Sequence, residues 1–136
     1  MYENLILKVT KGAAAGALKK HFKEIGERYV FCDKNNNPGG NIYAIAREVR
    51  NVEEPGAHLD EHIHTVENLM IFLGFEKGLT GLTAEVTLGD EKYTVESPSA
   101  VFVPPGLKHS FKFIRGSGLY INFLPAPAGD YNAVTK

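Results

Sequence analysis

Most of the chain after Asn41 consists of short segments that are typical of β-strands. Seven of them, each six to eight residues long, are punctuated by glycine, proline, asparagine or aspartate: IYAIAREV, ENLMIFLG, LTAEVTLG, EKYTVE, SAVFVP, HSFKFI and GLYINFLP. Gly89-Asp90, between TAEVTL and EKYTVE, is typical of a tight hairpin turn. Successive strands at this regular spacing predict an antiparallel sandwich or a closed β-barrel.

The residues before these strands have a different character. The stretch over 13–27, AAAGALKKHFKEIGE, is rich in helix formers and places Leu18, Phe22 and Ile25 at spacings of four and three. Such an apolar stripe predicts one short amphipathic helix. The run of turn formers over 33–41, DKNNNPGGN, is then expected to connect this N-terminal part to the strands within one domain.

The length of the chain fits a single domain. At 136 residues it can bury enough apolar surface to be stable without disulfides or a structural metal, so any bound metal is free to be functional. We expect residues 1–40 to form the N-terminal helix and arm, residues 41–125 the β-barrel, and residues 126–136 a tail. The tail is predicted to run across the surface or against a partner subunit.

Composition excludes some classes of partner. The formal net charge is -1, so there is no basic field to attract nucleic acid or anionic lipid. The N-terminal segment carries Glu3, Lys8 and Lys11 where a signal peptide needs a continuous apolar core, which together with the single cysteine predicts a cytoplasmic protein. Cys32 follows an apolar run and is expected to be a small buried residue rather than a nucleophile.

The histidines are the residues that point to chemistry. His58, His62 and His64 crowd into seven positions. Side chains alternate along an extended strand, so His62 and His64 point the same way, about 7 Å apart, and can converge on one ion. Glu67 follows at the turn into the next strand, and His109 follows a Pro-Pro-Gly turn. Three imidazoles and one carboxylate suit Fe, Mn, Ni, Co or Zn and disfavour calcium and magnesium.

This pattern resembles the first motif of the cupin superfamily: a glycine, five residues, His-x-His, a short gap, Glu, six residues and another glycine. In this sequence the motif reads Gly56, His62, His64, Glu67 and Gly74. The gap of two residues between His64 and Glu67 is one or two shorter than the usual pattern. The six residues from Glu67 to Gly74 match it, which favours Glu67 as the carboxylate.

The second cupin motif is matched in its centre and not at its ends. Pro104, Gly106 and His109 fit, whereas Pro98 stands at the expected glycine and Phe113 at the expected asparagine. The resemblance implies an all-β double-stranded β-helix, an RmlC-like jelly-roll barrel. It also implies a divalent transition metal on His62, His64, Glu67 and His109, and a homodimer. The alternative is an empty cupin in which these histidines are ordinary surface or hydrogen-bonded residues.

The rest of the pocket follows from strand alternation. Phe111 and Phe113 are expected to share the inward face of His109, and Glu67 is expected to bring Leu69, Ile71 and Leu73 inward with it. Polar candidates for holding a substrate are Tyr43, Arg47, Tyr120 and Asn122, whose direction the sequence leaves open.

Cupins activate dioxygen, polarise a carbonyl or enediol, or only hold a ligand, so the resemblance leaves the reaction open. The leading hypothesis is a metal-dependent enzyme that acts on a small oxygenated metabolite by dioxygenation or by Lewis-acid isomerase or lyase chemistry. His58 and Tyr120 are the candidate catalytic residues. The alternative is a non-catalytic cupin that binds or senses a small ligand.

Overall fold

Eight strands carry the fold in the computed structural model, which describes residues 2–11, 26–53 and 61–136. They are β1 (Thr10–Lys11), β2 (Glu27–Cys32), β3 (Ile42–Val52), β4 (Asn68–Gly74), β5 (Leu82–Leu88), β6 (Glu91–Glu96), β7 (Ser99–Val103) and β8 (His109–Pro125). The helical elements of the described residues are single 3-10 turns, at Glu3–Leu5, Lys77–Leu79, Pro127–Gly129 and Tyr131–Val134.

The long strand β8 organises an antiparallel sheet. Its first half pairs with β5, which in turn pairs with β6, and its second half lies between β3 and β4. The sheet continues outward from β3 to β2 and β1, and from β4 to β7. Because one strand belongs to both groups, the sheet curls and encloses a core, as the predicted barrel requires. The Gly89-Asp90 hairpin between β5 and β6 is confirmed.

Strand β8 is continuous where the sequence predicted two strands. Gly116 lies at its bend with a φ of 101°, and a Cβ atom built there would lie 1.9 Å from the carbonyl oxygen of Gly81. Only glycine fits this backbone and this close approach without strain. The glycine therefore bends the strand and does not end it.

The core is aromatic at its centre. Tyr120 packs on Phe111 with ring centroids 4.4 Å apart and on Phe72 at 5.3 Å, and Phe113 joins the group from the same strand. All four side chains are buried. Full burial of each contributes about 1.5–3 kcal/mol relative to exposure. The predicted inward direction of Phe111 and Phe113 is confirmed.

The predicted helix over 13–27 falls outside the described residues except at its last two positions, and Glu27 begins strand β2. One sequence prediction needs correction. The inward face of β4 was assigned one residue out of step: Leu69, Ile71 and Leu73 are half-buried, whereas Asn68, Met70 and Phe72 are buried. His64 is buried, and after the bend at residues 65–66 the even-numbered residues of β4 are again the buried ones.

The C-terminal tail packs against the segment that carries the first two histidines. The backbone N–H of Lys136 donates to the carbonyl oxygen of Ile63 at 2.8 Å, and that of Thr65 donates to the carbonyl oxygen of Val134 at 2.9 Å. Tyr131 and Val134 are buried. The tail is thus partly a core element. No helix among the described residues has the length and apolar character to span a membrane.

Candidate metal centre

Backbone pairing brings two distant histidines together. The N–H of His62 donates to the carbonyl oxygen of His109 and the N–H of His109 donates to that of His62, both at 3.0 Å. The turn before His109 is also attached here, because the N–H of Gly106 donates to the carbonyl oxygen of His64 at 2.9 Å. The turn that follows β7 therefore positions His109 beside the His-x-His segment.

The three imidazoles converge in the interior. His62, His64 and His109 are 3%, 1% and 0% exposed, and one ligand atom from each lies within 4.8 Å of the others. Nε2 of His62 is 3.2 Å from Nε2 of His64. Two nitrogens bound to one ion at about 2.1 Å, with an angle between about 90° and 110°, lie about 3.0–3.4 Å apart. The spacing of the two nitrogens therefore fits ligation of a shared metal ion.

Hydrogen bonds orient two of the rings. The carbonyl oxygen of Leu107 can only accept, so the 2.9 Å contact requires that Nδ1 of His109 donates. The Thr135 hydroxyl donates to the carbonyl oxygen of Tyr131 at 2.8 Å, and so accepts from Nδ1 of His64 at 3.1 Å. A proton on each Nδ1 leaves the Nε2 lone pairs for a metal, as is usual for ligating histidines.

Solved structures with the same architecture are cupins. No protein-family model and no curated protein sequence matches the chain. KdgF from Halomonas sp. is similar with a TM-score of 0.55 and 18% identity, over 75% of this chain and 82% of that chain. A cupin 2 conserved barrel domain protein from Rhodopseudomonas palustris has a TM-score of 0.55 and 18% identity, over 88% and 72%. This chain has the cupin fold.

Larger and enzymatic cupins are also similar. A variant of oxalate decarboxylase from Bacillus subtilis has a TM-score of 0.58 and 15% identity, over 93% of this chain but 29% of that chain. The polyketide cyclase RemF from Streptomyces resistomycificus has a TM-score of 0.58 and 17% identity, over 86% and 73%. The cupin fold thus hosts different reactions, and the site has to be interpreted from its own residues.

The structure brings together three of the four ligands that the cupin motifs indicated. Glu67 is not part of the group of ligand atoms within 4.8 Å, and its side chain is exposed. The physical reason is the alternation of β4: Asn68, its first residue, is buried, so Glu67 just before it faces the other way.

The other predicted site residues are distributed around the core. His58 lies outside the described residues. Tyr120 is buried among phenylalanine rings. Tyr43, Arg47 and Asn122 are buried as well, which resolves the direction that the sequence left open.

No sequence pattern pointed to Tyr131, the tyrosine that contacts the cluster. Its ring centroid is 5.2 Å from that of His64, and its hydroxyl oxygen is 3.4 Å from Nε2 of His62. The aromatic and aliphatic residues of the tail were a signal that the tail packs somewhere. They could not indicate where, because the contact joins residues 69 positions apart.

A buried cation connects to the same cluster. Arg28 is 8% exposed and donates from Nη2 to the hydroxyl oxygen of Tyr43. The Tyr43 ring lies 4.8 Å from that of Tyr131, so the chain of contacts runs from Arg28 to the histidines. Arg47 is the cross-strand neighbour of Arg28 and is also buried. Within the described ranges, the buried polar side chains include no aspartate or glutamate.

Proposed function

We propose that this protein is a metal-dependent cupin enzyme that acts on a small oxygenated metabolite. The observation that carries the proposal is the burial of three histidines whose ligand atoms lie within 4.8 Å of one another. His62, His64 and His109 would hold one divalent transition metal ion. Positions that the protein does not fill would be open to a substrate that chelates through adjacent oxygens.

The imidazole ligands limit the metal to a group of transition-metal ions. Imidazole nitrogen suits iron, manganese, nickel, cobalt and zinc, whereas calcium and magnesium prefer oxygen. The oxalate decarboxylase of Bacillus subtilis is described with Mn(II) centres. When bound, an ion of this group supplies Lewis acidity and, in the case of iron, access to dioxygen chemistry. Iron would favour dioxygenation, and manganese, nickel or zinc would favour isomerase or lyase chemistry.

The residues around the metal would exclude water, hydrogen-bond the substrate and transfer protons. Phe111 and Phe113 are buried on the strand that begins with His109, and their rings would keep water away from the reacting groups. The Tyr131 hydroxyl, 3.4 Å from Nε2 of His62, could hydrogen-bond a substrate oxygen beside that ring. His58 and Tyr120 stay sequence-based candidates for proton transfer.

The buried arginine favours an anionic substrate. A guanidinium in the interior needs an opposite charge or several hydrogen bonds to offset its lost hydration. Arg28 makes no ion pair with the described residues, and its Nε is buried without a hydrogen-bond partner among them. A carboxylate of the substrate would supply the opposite charge at Arg28. The other oxygens of the substrate would then point towards the histidines.

The second candidate is a non-catalytic cupin that binds or senses a small ligand. The observation that favours it is that the buried polar side chains of the described segments include no aspartate, glutamate or lysine to serve as a general base. A binding protein needs only the histidines and the arginine. It would hold the same class of anion and leave it unchanged.

A cytoplasmic homodimer without nucleic-acid or membrane partners is also part of the proposal. The edge strand β7 pairs only with β4 in the described sheet, and its Phe102 is 56% exposed. An edge strand with an exposed aromatic residue is a suitable contact for a second copy.

The test separates chemistry from binding. Protein loaded with manganese, nickel or zinc is incubated in D₂O with small hydroxy and keto acids, and iron-loaded protein is incubated with the same acids in air. Deuterium incorporation next to a carbonyl, or oxygen consumption, that is lost in His109→Ala would support an enzyme. Binding of an acid with neither change would support the second candidate.

A further inference from the structure

Asn68 is the buried neighbour of the expected ligand Glu67. It is the first residue of β4 and is 2% exposed, whereas Glu67 is exposed. The Asn68 side chain lies on the buried, inward face, as those of His62 and His64 do, although the bend at residues 65–66 separates it from them. The burial pattern of β4 continues that face through Met70.

The side-chain oxygen of Asn68 has no hydrogen-bond partner among the described residues. Its Oδ1 is buried and accepts no hydrogen bond from the part of the chain that the structure describes. Buried amide oxygens in folded proteins nearly always accept a hydrogen bond or bind an ion, because burial removes their hydration. An amide oxygen is also a suitable donor for a divalent metal.

Backbone contacts place Asn68 at the same end of the barrel as the histidines. Asn68 pairs with Val103, the last residue of β7. Three residues further along the chain, the N–H of Gly106 donates to the carbonyl oxygen of His64, and His109 follows the same turn. The segment from His64 to Asn68 is thus attached at both ends to the segment that delivers His109.

The spacing in the sequence agrees with this placement. Three residues separate His64 from Asn68, and two separate His64 from Glu67. The usual gap in the first cupin motif is one or two residues longer than the gap to Glu67, so Asn68 satisfies it and Glu67 does not.

We infer that Oδ1 of Asn68, and not the carboxylate of Glu67, is the fourth protein ligand of the metal. This inference rests on the proposed metal site. All four protein ligands would then be neutral, and a divalent ion would keep its full charge. Together with the buried guanidinium of Arg28, such a centre favours a dianionic chelator over a neutral one.

Metal affinity of designed variants tests the inference. Co(II) is the probe, its dissociation constant is measured by competition with a chelator, and its visible absorption reports the coordination. We expect Asn68→Ala to weaken binding at least about tenfold, since even residues behind a ligand contribute that much. Glu67→Gln, the matched control, should stay within about twofold of the native protein and keep its spectrum.

Asn68→Asp separates ligation from a structural role. A carboxylate at a ligand position should bind Co(II) more tightly than the amide does, and the metal should restore any stability that the metal-free variant loses. If the introduced carboxylate is instead buried away from the metal, the variant is less stable and its affinity for Co(II) is not raised. That second result would contradict ligation by the side chain at this position.

The outcomes distinguish a wrong assignment of Asn68 from the absence of a metal site. Weakened binding in Glu67→Gln with unchanged binding in Asn68→Ala would overturn the assignment of Asn68 and leave the metal site intact. Native protein that binds no Co(II), or binds it equally after His62→Ala, would overturn the metal site and the inference with it.

Discussion

The hydroxyl oxygen of Thr135 lies 3.1 Å from Nδ1 of His64, although 71 positions separate the two residues. The hydroxyl hydrogen is directed to the carbonyl oxygen of Tyr131, so the oxygen accepts from the imidazole and keeps its proton on Nδ1. The second residue from the C-terminal end of the sequence therefore sets the tautomer of a proposed metal ligand.

Thr135→Val is expected to lower metal affinity about tenfold, because the nearly isosteric side chain cannot accept from His64. Thr135→Ser keeps the hydroxyl and should retain nearly native affinity. Chelator competition with Co(II) measures both. Equal affinity of the valine variant and the native protein would show that the hydrogen bond does not orient the ring.

Tyr131→Phe and Tyr120→Phe form a matched pair. The Tyr131 hydroxyl is 3.4 Å from Nε2 of His62, so its loss should change the visible spectrum of bound Co(II) and its pH dependence. Tyr120 packs on phenylalanine rings, and its variant should leave the spectrum unchanged. A change in Tyr120→Phe alone would favour Tyr120, the tyrosine that the sequence indicated.

Much of the fold follows from local rules. The strands after Asn41 and the Gly89-Asp90 hairpin depend on alternation and on turn residues within a few positions. The convergence of His62, His64 and His109 depends on the order of two motifs along the chain. These features could be predicted because each depends on a short stretch of sequence or on a familiar arrangement of such stretches.

The remaining features of the site depend on contacts between distant segments, which local sequence patterns do not encode. Glu67 was predicted because a motif was counted back from Gly74, and that count does not indicate which side chain faces inward after the bend at residues 65–66. The contact of Thr135 with His64 and the burial of Arg28 depend on how distant segments pack. No periodicity along the chain encodes them.

Arg28→Gln is expected to weaken the binding of a dicarboxylate probe such as malonate to the metal-loaded protein by about tenfold or more. The loss corresponds to a charge-assisted hydrogen bond of about 1.5–3 kcal/mol. Co(II) affinity should stay within about twofold. Because the chain has no tryptophan, tyrosine fluorescence can follow the titration, with Tyr43 and Tyr131 near the site.

Arg50→Gln is the control for this prediction, since Arg50 is exposed and lies over the ring of Phe75. Malonate affinity that is equal in both variants would contradict an anion site at Arg28. Loss of stability in Arg28→Gln without loss of malonate affinity would assign the arginine a purely structural role.

Gly116→Ala tests the bend that makes β8 continuous. The positive φ and the close approach to Gly81 should destabilise the variant by at least about 2 kcal/mol. Gly39, whose added Cβ would meet nothing within 4 Å, provides the control: Gly39→Ala should change the free energy of unfolding by less than about 1 kcal/mol. Urea denaturation measures both, and equal stabilities would contradict the bend.

The central claim is that buried histidines hold a functional metal, and metal content tests it most directly. Protein purified without chelator is compared with the His62→Ala, His109→Ala double variant by elemental analysis, with circular dichroism to verify that both are folded. We predict about one transition metal ion per native chain and almost none in the folded double variant. Native protein without metal, which also takes up no iron, manganese, nickel, cobalt or zinc, would contradict the account.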